Sequence, residues 1–447
     1  MTSNRNSLEW HTFAIERIKP YPAHSRIHGK RQIDKLKKLI QHFGQVVPII
    51  IDREGVIVDG HAIWQAMREL GSGEIATIVV TNRTDPEIKA LRLALNRIPS
   101  DAAWENERLR AELEQLVSLS FDLELTGFDA VEIDHLFEVD VPKLKVAEEC
   151  GQIPAPQERA ITAVGDIWSC GRHLVGCGDA RDQDFIDKVR GGLHASTCFV
   201  HPAYNVSIAG FASGKGHVRH RDFIHGVGEM DTRQFTAFLA ESLAVLQRSA
   251  SDGAFIFACV DWRHLFELLA AGRQCDLGLY NICVWAKTKA GKGSLYRSQT
   301  ELISVFKVGT TPHINNVELG RHGRNRSNLW TYRGLHSFGG DRDELLASHP
   351  TVTPVLMIAD AIRDVTKHGE IVLDTFVGSG STIMAAEETG RVGIGIDLDP
   401  LYVDVAIRRW QAHARLDALH TATGEPFDDR AKRLAAQSQE DQHGQRQ

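Results

Sequence analysis

The sequence predicts an α/β protein of two domains, a large sheet with flanking helices preceded by a smaller α+β domain. Three observations predict it. Apolar residues make up 43% and charged residues 24% of the 447-residue chain, the proportions of a globular fold rather than a disordered, collagen-like or coiled-coil one. Strand-length apolar runs alternate with helical spacing in two separate stretches, residues 1–140 and 165–415. Between them, residues 141–164 carry three prolines and no periodicity, the composition of a linker.

The elements of the first stretch follow from local signals. IDKLKKLIQHF has helical spacing from Ile33 to Phe43, with Gly44 as its expected stop. VVPIIID and VIVDG read as strands about an REG turn, HAIWQAMRELG as a helix ending at Gly71, and IATIVVT as a third strand. DPEIKALRLALNR and NERLRAELEQLVSL read as further helices. From Gly165, GDIWSCGRHLVGCGD reads as a β-hairpin opening the second domain. Residues 416–447 form a polar tail, Gln-rich at its end, that is expected to be disordered.

Composition also excludes function classes. No apolar run approaches the roughly 18 residues that span a bilayer, and the N-terminus has no signal-like stretch. Seven scattered cysteines without a CxxC argue against a disulfide framework and against a zinc site, so no metal is expected and the location is read as cytoplasmic. The net charge is −7, yet between Asn281 and Gly340 nine Lys or Arg face two Glu, a local +7 in an acidic chain. Such a stretch is a candidate polyanion contact.

The most informative region is Glu370 to Trp410. IVLD reads as a strand, TFVGSG as a glycine turn, STIMAAEETG as a helix capped by Gly390, and RVGIGID as a second strand ending at Asp397. Glycine lets a turn approach a ligand, and the helix N-terminus that follows offers free N–H groups. An acid about twenty residues on, at the next strand tip, is placed to bind ribose hydroxyls.

TFVGSGST with DLDPLYVDVAIRRW resembles the motif I and II region of S-adenosylmethionine-dependent DNA amino-methyltransferases, whose usual word is DPFxGSGTT. HPTVTP (349–354) is similar to that family's HPTxKP word, with Thr353 in place of Lys, and GCGDARD carries the Asp that the family keeps near the cofactor adenine. The resemblance implies a Rossmann-like class I methyltransferase sheet of the permuted β class over roughly residues 165–410. It implies S-adenosylmethionine as cofactor, held by Asp179, Asp374, Phe376, Gly378, Gly380, Ser381, Thr382 and Asp397.

The family's catalytic word, usually DPPY, aligns with HPAY, which follows the strand Cys198–Val200. An exocyclic amino group is a poor nucleophile because its lone pair is delocalised into the ring. In the family, an Asp side chain and a proline carbonyl hold its hydrogens, and the aromatic ring stacks on a flipped base. Here the resemblance assigns catalysis to His201, Pro202 and Tyr204, with a neutral imidazole as a weaker acceptor than a carboxylate. Two expectations follow: a rate that rises with pH near 6–7, and a gain on His201→Asp with Ala203→Pro. In the basic segment, Lys287, Lys292, Arg297, Arg321, Arg324 and Arg326 suit phosphates, Tyr296 suits stacking, and Asn328 suits base edges. Trp330 and Tyr332 are further candidates for stacking.

VVPIIIDREGVIVDGHAIWQAMRELG resembles the ParB/sulfiredoxin-like domain, but Gly60-His61-Ala62-Ile63 lacks that family's arginine, so His61 reads as a packing or capping residue. The whole resemblance implies a fused DNA methyltransferase acting on double-stranded DNA. Adenine N6 is favoured over cytosine N4, the activity is expected to be impaired by HPAY, and the alternative is an inactive cofactor- and DNA-binding relative. The implied setting is cytoplasmic and nucleoid-associated, without a membrane, and a homodimer is left open.

Overall fold

A computed structural model describes residues 10–119, 121–138, 153–157, 159–205, 228–288, 290, 295–317, 319, 326–332 and 353–444. The chain divides into two compact units, Met1–Phe137 and Glu138–Gln447.

The first unit is built on β1 (Trp10–Ala14), α1 (Lys30–Phe43), β2 (Ile49–Ile51), β3 (Ile57–Asp59), α2 (His61–Glu69), β4 (Glu74–Val79), α3 (Asp85–Arg97), α4 (Asn106–Ser118) and α5 (Ala130–Glu138). Its sheet runs β1-β4-β2-β3 around Ile49, Ile51, Ile57 and Ile75. Gly44 closes α1 as expected, at φ 74° with its N–H on the Ile40 carbonyl. Thr84 and Glu87 form a capping box at the start of α3, where Pro86 suits the first turn. VVPIIID yields only three strand residues, because Val46 and Val47 are exposed and precede the pairing with β4. β1 carried no sequence signal, since its residues are mostly exposed and only its pairing with β4 makes it a strand.

His61 follows Gly60, whose φ of 96° and contact with Ile49 leave no room for a Cβ. Its Nε2 accepts the Tyr21 N–H at 3.2 Å, and its ring stacks on His24 at 3.7 Å. Burial, with the neighbouring charges of His24, His28 and Arg92, lowers its pKa to about 4.

The second unit begins with the expected hairpin, β5 (Ile167–Cys170) and β6 (His173–Cys177), followed by α6 (Gln183–Arg190) and β7 (Ala195–Val200). Then come α7 (Thr232–Ser249), β8 (Ala250–Val260), α8 (Leu265–Gln274), β9 (Gly278–Lys287), β10 (Thr300–Lys307), β11 (Leu329–Tyr332) and α9 (Val355–Val365). The chain closes with β12 (Ile371–Asp374), α10 (Ser381–Glu388), β13 (Val392–Asp397), α11 (Pro400–Ala414), β14 (Leu419–His420) and α12 (Phe427–Gly444).

These strands form one sheet in the order β11-β9-β10-β8-β7-β12-β13-β6-β5-β14, with β8, β7, β12, β13 and β6 mutually parallel. Alternate residues feed opposite faces: Phe255 and Phe257 pack with Phe199, Met357 and Ile407, whereas Ile256 packs with Cys198, Phe235 and Phe306. Helices cover both faces, as parallel strands buried on two sides require.

The tail expected to be disordered departs from that reading. β14 pairs with β5, and Phe427 at the start of α12 is fully buried with its ring 5.1 Å from Trp168. One aromatic anchor and an ion pair, Arg430 to Asp166 at 2.8 Å, outweigh the polar composition.

A polar cluster joins β6, α10 and α11. Glu387 accepts from Arg172 at 2.8 Å, from Trp410 Nε1 at 2.9 Å and from His173 Nε2 at 2.8 Å, while His173 Nδ1 accepts the Gly393 N–H. Burial works against the Glu387 charge, but the bonds from His173, Trp410 and Arg172 prevail and hold the carboxyl well below its ordinary range.

Two outcomes are expected. Glu387→Gln should lower the unfolding free energy in denaturant titrations by about 2–4 kcal/mol, because it strands buried donors. His61 is held neutral when folded, so its contribution is complete above pH 6.5 and is lost as pH falls toward 4. Acid melts should therefore lose on the order of 3 kcal/mol more in the native protein than in His61→Gln.

Candidate active site

The carboxyl ends of the parallel strands define one rim. The chain runs outward from β7 to β8 on one side and from β12 to β13 on the other, so the β7/β12 boundary is a topological switch point, where α/β sheets bind ligands. Leu373 pairs with Cys198, Asp374 with Gly395, and Asp397 with Cys177. Asp179, Asp397, Asp374 and His201 consequently end or follow four consecutive strands on the same edge. The glycine turn and the HPAY corner stand on adjacent strand tips.

The glycine turn is held from inside. Asp374 accepts the Phe376 N–H at 2.9 Å and the Thr382 hydroxyl at 2.5 Å. Asp397 accepts the Gly378 N–H at 2.9 Å through one oxygen and the Asp399 N–H at 2.9 Å through the other. Gly378 and Gly380 adopt φ of 49° and 83°, and a Cβ on Gly380 would meet Ala406 at 2.9 Å. From behind, Arg409 donates to the Ser379 carbonyl at 2.9 Å and to the Ser381 hydroxyl at 3.2 Å. Ser381 and Thr382 are thus buried braces of the turn. Thr375, where the family word has proline, buries a hydroxyl that has no partner among the described residues.

Burial pushes the Asp374 carboxyl up to about 7, against the bonds from Thr382 and Phe376 and with a contribution from the Asp397 charge. Burial likewise pushes Asp397 up to about 6, against the bonds from Asp399 and Gly378. Asp179 is clasped by Arg181, whose Nη2 lies 2.7 Å from Oδ2. The Arg181 guanidinium lies over Phe238 at 5.4 Å, and Phe238 meets Phe376 edge-on at 6.1 Å. Phe238 had no motif to mark it in the sequence, and Arg181 and Arg409 lie within the quoted words GCGDARD and DLDPLYVDVAIRRW without having been singled out.

The HPAY corner contains more than its own word. His201 Nδ1 lies 2.7 Å from Thr353 Oγ1, and its Nε2 is hydrogen-bonded to the Tyr204 hydroxyl. That hydroxyl donates to Glu301 Oε2 at 2.7 Å, so its oxygen accepts from His201 Nε2–H, a tautomer assigned from the network. Glu301 Oε2 is also 3.4 Å from Nε2, and Lys287 pairs with its other oxygen. Burial disfavours the Glu301 charge, but His201 and Lys287 outweigh it and hold the carboxyl well below its ordinary range. Burial beside Glu301 pushes the Tyr204 phenol well above its ordinary value. Both ring nitrogens of His201 are therefore engaged within the protein, unlike the free acceptor expected from the sequence.

In the basic segment, Tyr296 is 84% exposed and Arg297 lies on the surface. Lys287 faces Glu301, and Arg326 is ion-paired with Asp364 at 2.6 Å and Asp360 at 3.3 Å rather than standing open to a phosphate. Asn328 donates to the Ile282 carbonyl, Trp330 is buried, and Tyr332 donates to Asp360, because β11 makes this stretch part of the sheet. Lys292, Arg321 and Arg324 lie outside the described residues. Among the described residues, no group of three or more His, Cys, Asp or Glu is arranged to hold a metal, and no helix is long and apolar enough to cross a membrane.

Comparison with known proteins places this rim in a family. The DNA methylase family model matches residues 195–408, which hold both the HPAY corner and the glycine turn. The type II methyltransferase M2.DpnII of Streptococcus pneumoniae is 33% identical over 226 residues, covering 48% of this chain and 81% of that protein. The chain belongs to the N6/N4 DNA methylase family. Its methylase region is fused to a ParB-like part: the ParB-methyltransferase HTH domain model matches residues 107–164. The ParB-like nuclease domain-containing protein YnaK of Escherichia coli is 30% identical over 73 residues, 16% of this chain and 84% of that protein. The methylase chain spans only 28–40% of the length of three other type II methyltransferases it matches. The crystal structure of the M1.HpyAVI–SAM complex, at 16% identity, aligns over 53% of this chain and 97% of that one with a TM-score of 0.39.

The geometry carries one consequence for residue 201. His201→Asp alone would set a second carboxylate beside Glu301 with no added cation, so it should lower stability in thermal melts by about 1–3 kcal/mol rather than improve the site. Adding Thr353→Lys should recover much of that loss.

Proposed function

We propose that the protein transfers a methyl group from S-adenosylmethionine to an exocyclic amino group in double-stranded DNA, with adenine N6 favoured over cytosine N4. The observation that supports this best is the adjacency of the glycine turn and the HPAY corner across the switch point. On this reading the turn is the cofactor loop and Tyr204 the base-stacking residue, carried on neighbouring strand tips.

The residues present suit the cofactor. Each Asp397 oxygen accepts one backbone N–H and retains lone-pair capacity for a ribose hydroxyl. The glycine turn admits close approach, and the Thr375 hydroxyl beside it, which has no partner among the described residues, is a spare polar group. Asp374 and Asp397 bring negative charge toward a cationic ligand. When bound, the cofactor supplies an electrophilic methyl on sulfur. On this reading Tyr204 offers a stacking face, the Pro202 carbonyl accepts one amino hydrogen, and Asp179, Phe376, Gly378 and Gly380 line the cofactor side. Tyr296 and Arg297 are the exposed DNA contacts.

A second reading, a chain that binds cofactor and DNA without transfer, draws on the engagement of both His201 nitrogens. Transfer of labelled methyl to unmethylated DNA, with mass spectrometry of the digested nucleosides, separates the two. N6-methyladenine is expected, and N4-methylcytosine would reverse the base assignment. A cation recruited by ionised Asp374 and Asp397 should bind about tenfold more tightly at pH 8 than at pH 6 in calorimetry, since protonation near 6–7 removes the attracting charge. Asp397→Asn should weaken binding and reduce that pH dependence.

A further inference from the structure

HPAY lacks the carboxylate that would hold the target amino group, and His201 cannot replace it while Thr353 and Tyr204 occupy its two nitrogens. The same corner nevertheless contains a carboxylate from another part of the chain. Glu301 enters from β10, antiparallel to β8, where Leu302 pairs with Val260, so the start of β10 lies on the rim formed by the ends of the parallel strands. Its side chain is 9% exposed and touches both HPAY side chains that carry polar atoms.

Glu301 also has acceptor capacity in hand. Two carboxylate oxygens present about four lone-pair sites. Lys287 takes one on Oε1, and Tyr204 and His201 share Oε2. Lys287 further lies over the Trp285 ring at 4.8 Å, which fixes the cation and keeps the pair in place. Two of the positions where the chain departs from the family words, 201 and 353, touch each other at 2.7 Å. Glu301 and Lys287 form the charged pair of the corner, beside the His201–Thr353 contact.

We propose that Glu301 is the anionic acceptor of the target amino group, in place of the acid missing from residue 201. It would hold one amino hydrogen while the Pro202 carbonyl holds the other, localising the nitrogen lone pair. As that pair forms the new N–C bond, the S–C bond breaks with its electrons staying on sulfur. The surplus nitrogen proton leaves along the hydrogen bond to Oε1, the oxygen that carries only Lys287, and passes to water. The assignment rests on the methyl-transfer reading above.

The test is steady-state methyl transfer to unmethylated DNA by the full chain and by Glu301→Gln, with cofactor affinity measured in parallel by calorimetry. The expected result is a ten- to hundredfold fall in kcat, the size of a lost charge-assisted bond, with the KM for DNA and the cofactor affinity within twofold of the parent. Glu301→Asp should recover part of the rate, and His201→Gln should lose less than Glu301→Gln. If Glu301→Gln folds poorly, Glu301→Gln with Lys287→Gln removes both charges and should show the same fall. A Glu301→Gln rate within threefold of the parent, or a larger loss from His201→Gln, overturns the assignment while leaving methyl transfer standing. A parent that binds cofactor yet methylates no DNA overturns both.

Discussion

Two acids buried at neighbouring strand tips, with no ion pair to a cation among the described residues, are the constraint around which the second unit is organised. Asp374 and Asp397 are sustained by backbone N–H groups of the turn between them and by the Thr382 hydroxyl. Those donors exist only if the turn takes left-handed glycine conformations and if α10 starts at Ser381. Arg409 then fixes the turn from α11. The charge is costly to bury, and burial accordingly pushes both carboxyls up. That cost is concentrated at the switch point of the sheet.

The neighbouring corner follows a different logic. Its charges are balanced within the protein, with Glu301 bonded by Lys287, Tyr204 and His201. One side of the rim is thus electrostatically open and the other nearly closed. That asymmetry fits a site where one component binds through charge and the other through stacking and directed hydrogen bonds.

Much of this was legible in the sequence, for local reasons. The hairpin at Gly165, the βαβ unit from Ile371 to Asp397, and the capped helices α1 and α3 are written in turn glycines, capping residues and apolar period, all short-range signals. Motif order suggested that the strands carrying Asp374 and HPAY would lie together, and β12 does pair with β7. Long-range partnerships were not legible. Glu301 lies 97 positions from Tyr204, and only the antiparallel insertion of β10 beside β8 brings them together. The pairing of β11 with β9 likewise turned Trp330 and Arg326, which resembled surface recognition residues, into buried packing and ion pairs. β14 was hidden because two residues make a strand only when an edge is waiting for them.

That last feature bears on how the protein is handled. β14 lies against β5 and closes one end of a ten-stranded sheet, with α12 folded back so that Phe427 seals Trp168. Trimming the chain near residue 416 as though a floppy tail began there would strip this closure and leave an open row of backbone donors and acceptors beside a bared indole, the kind of edge through which copies of a protein stick together.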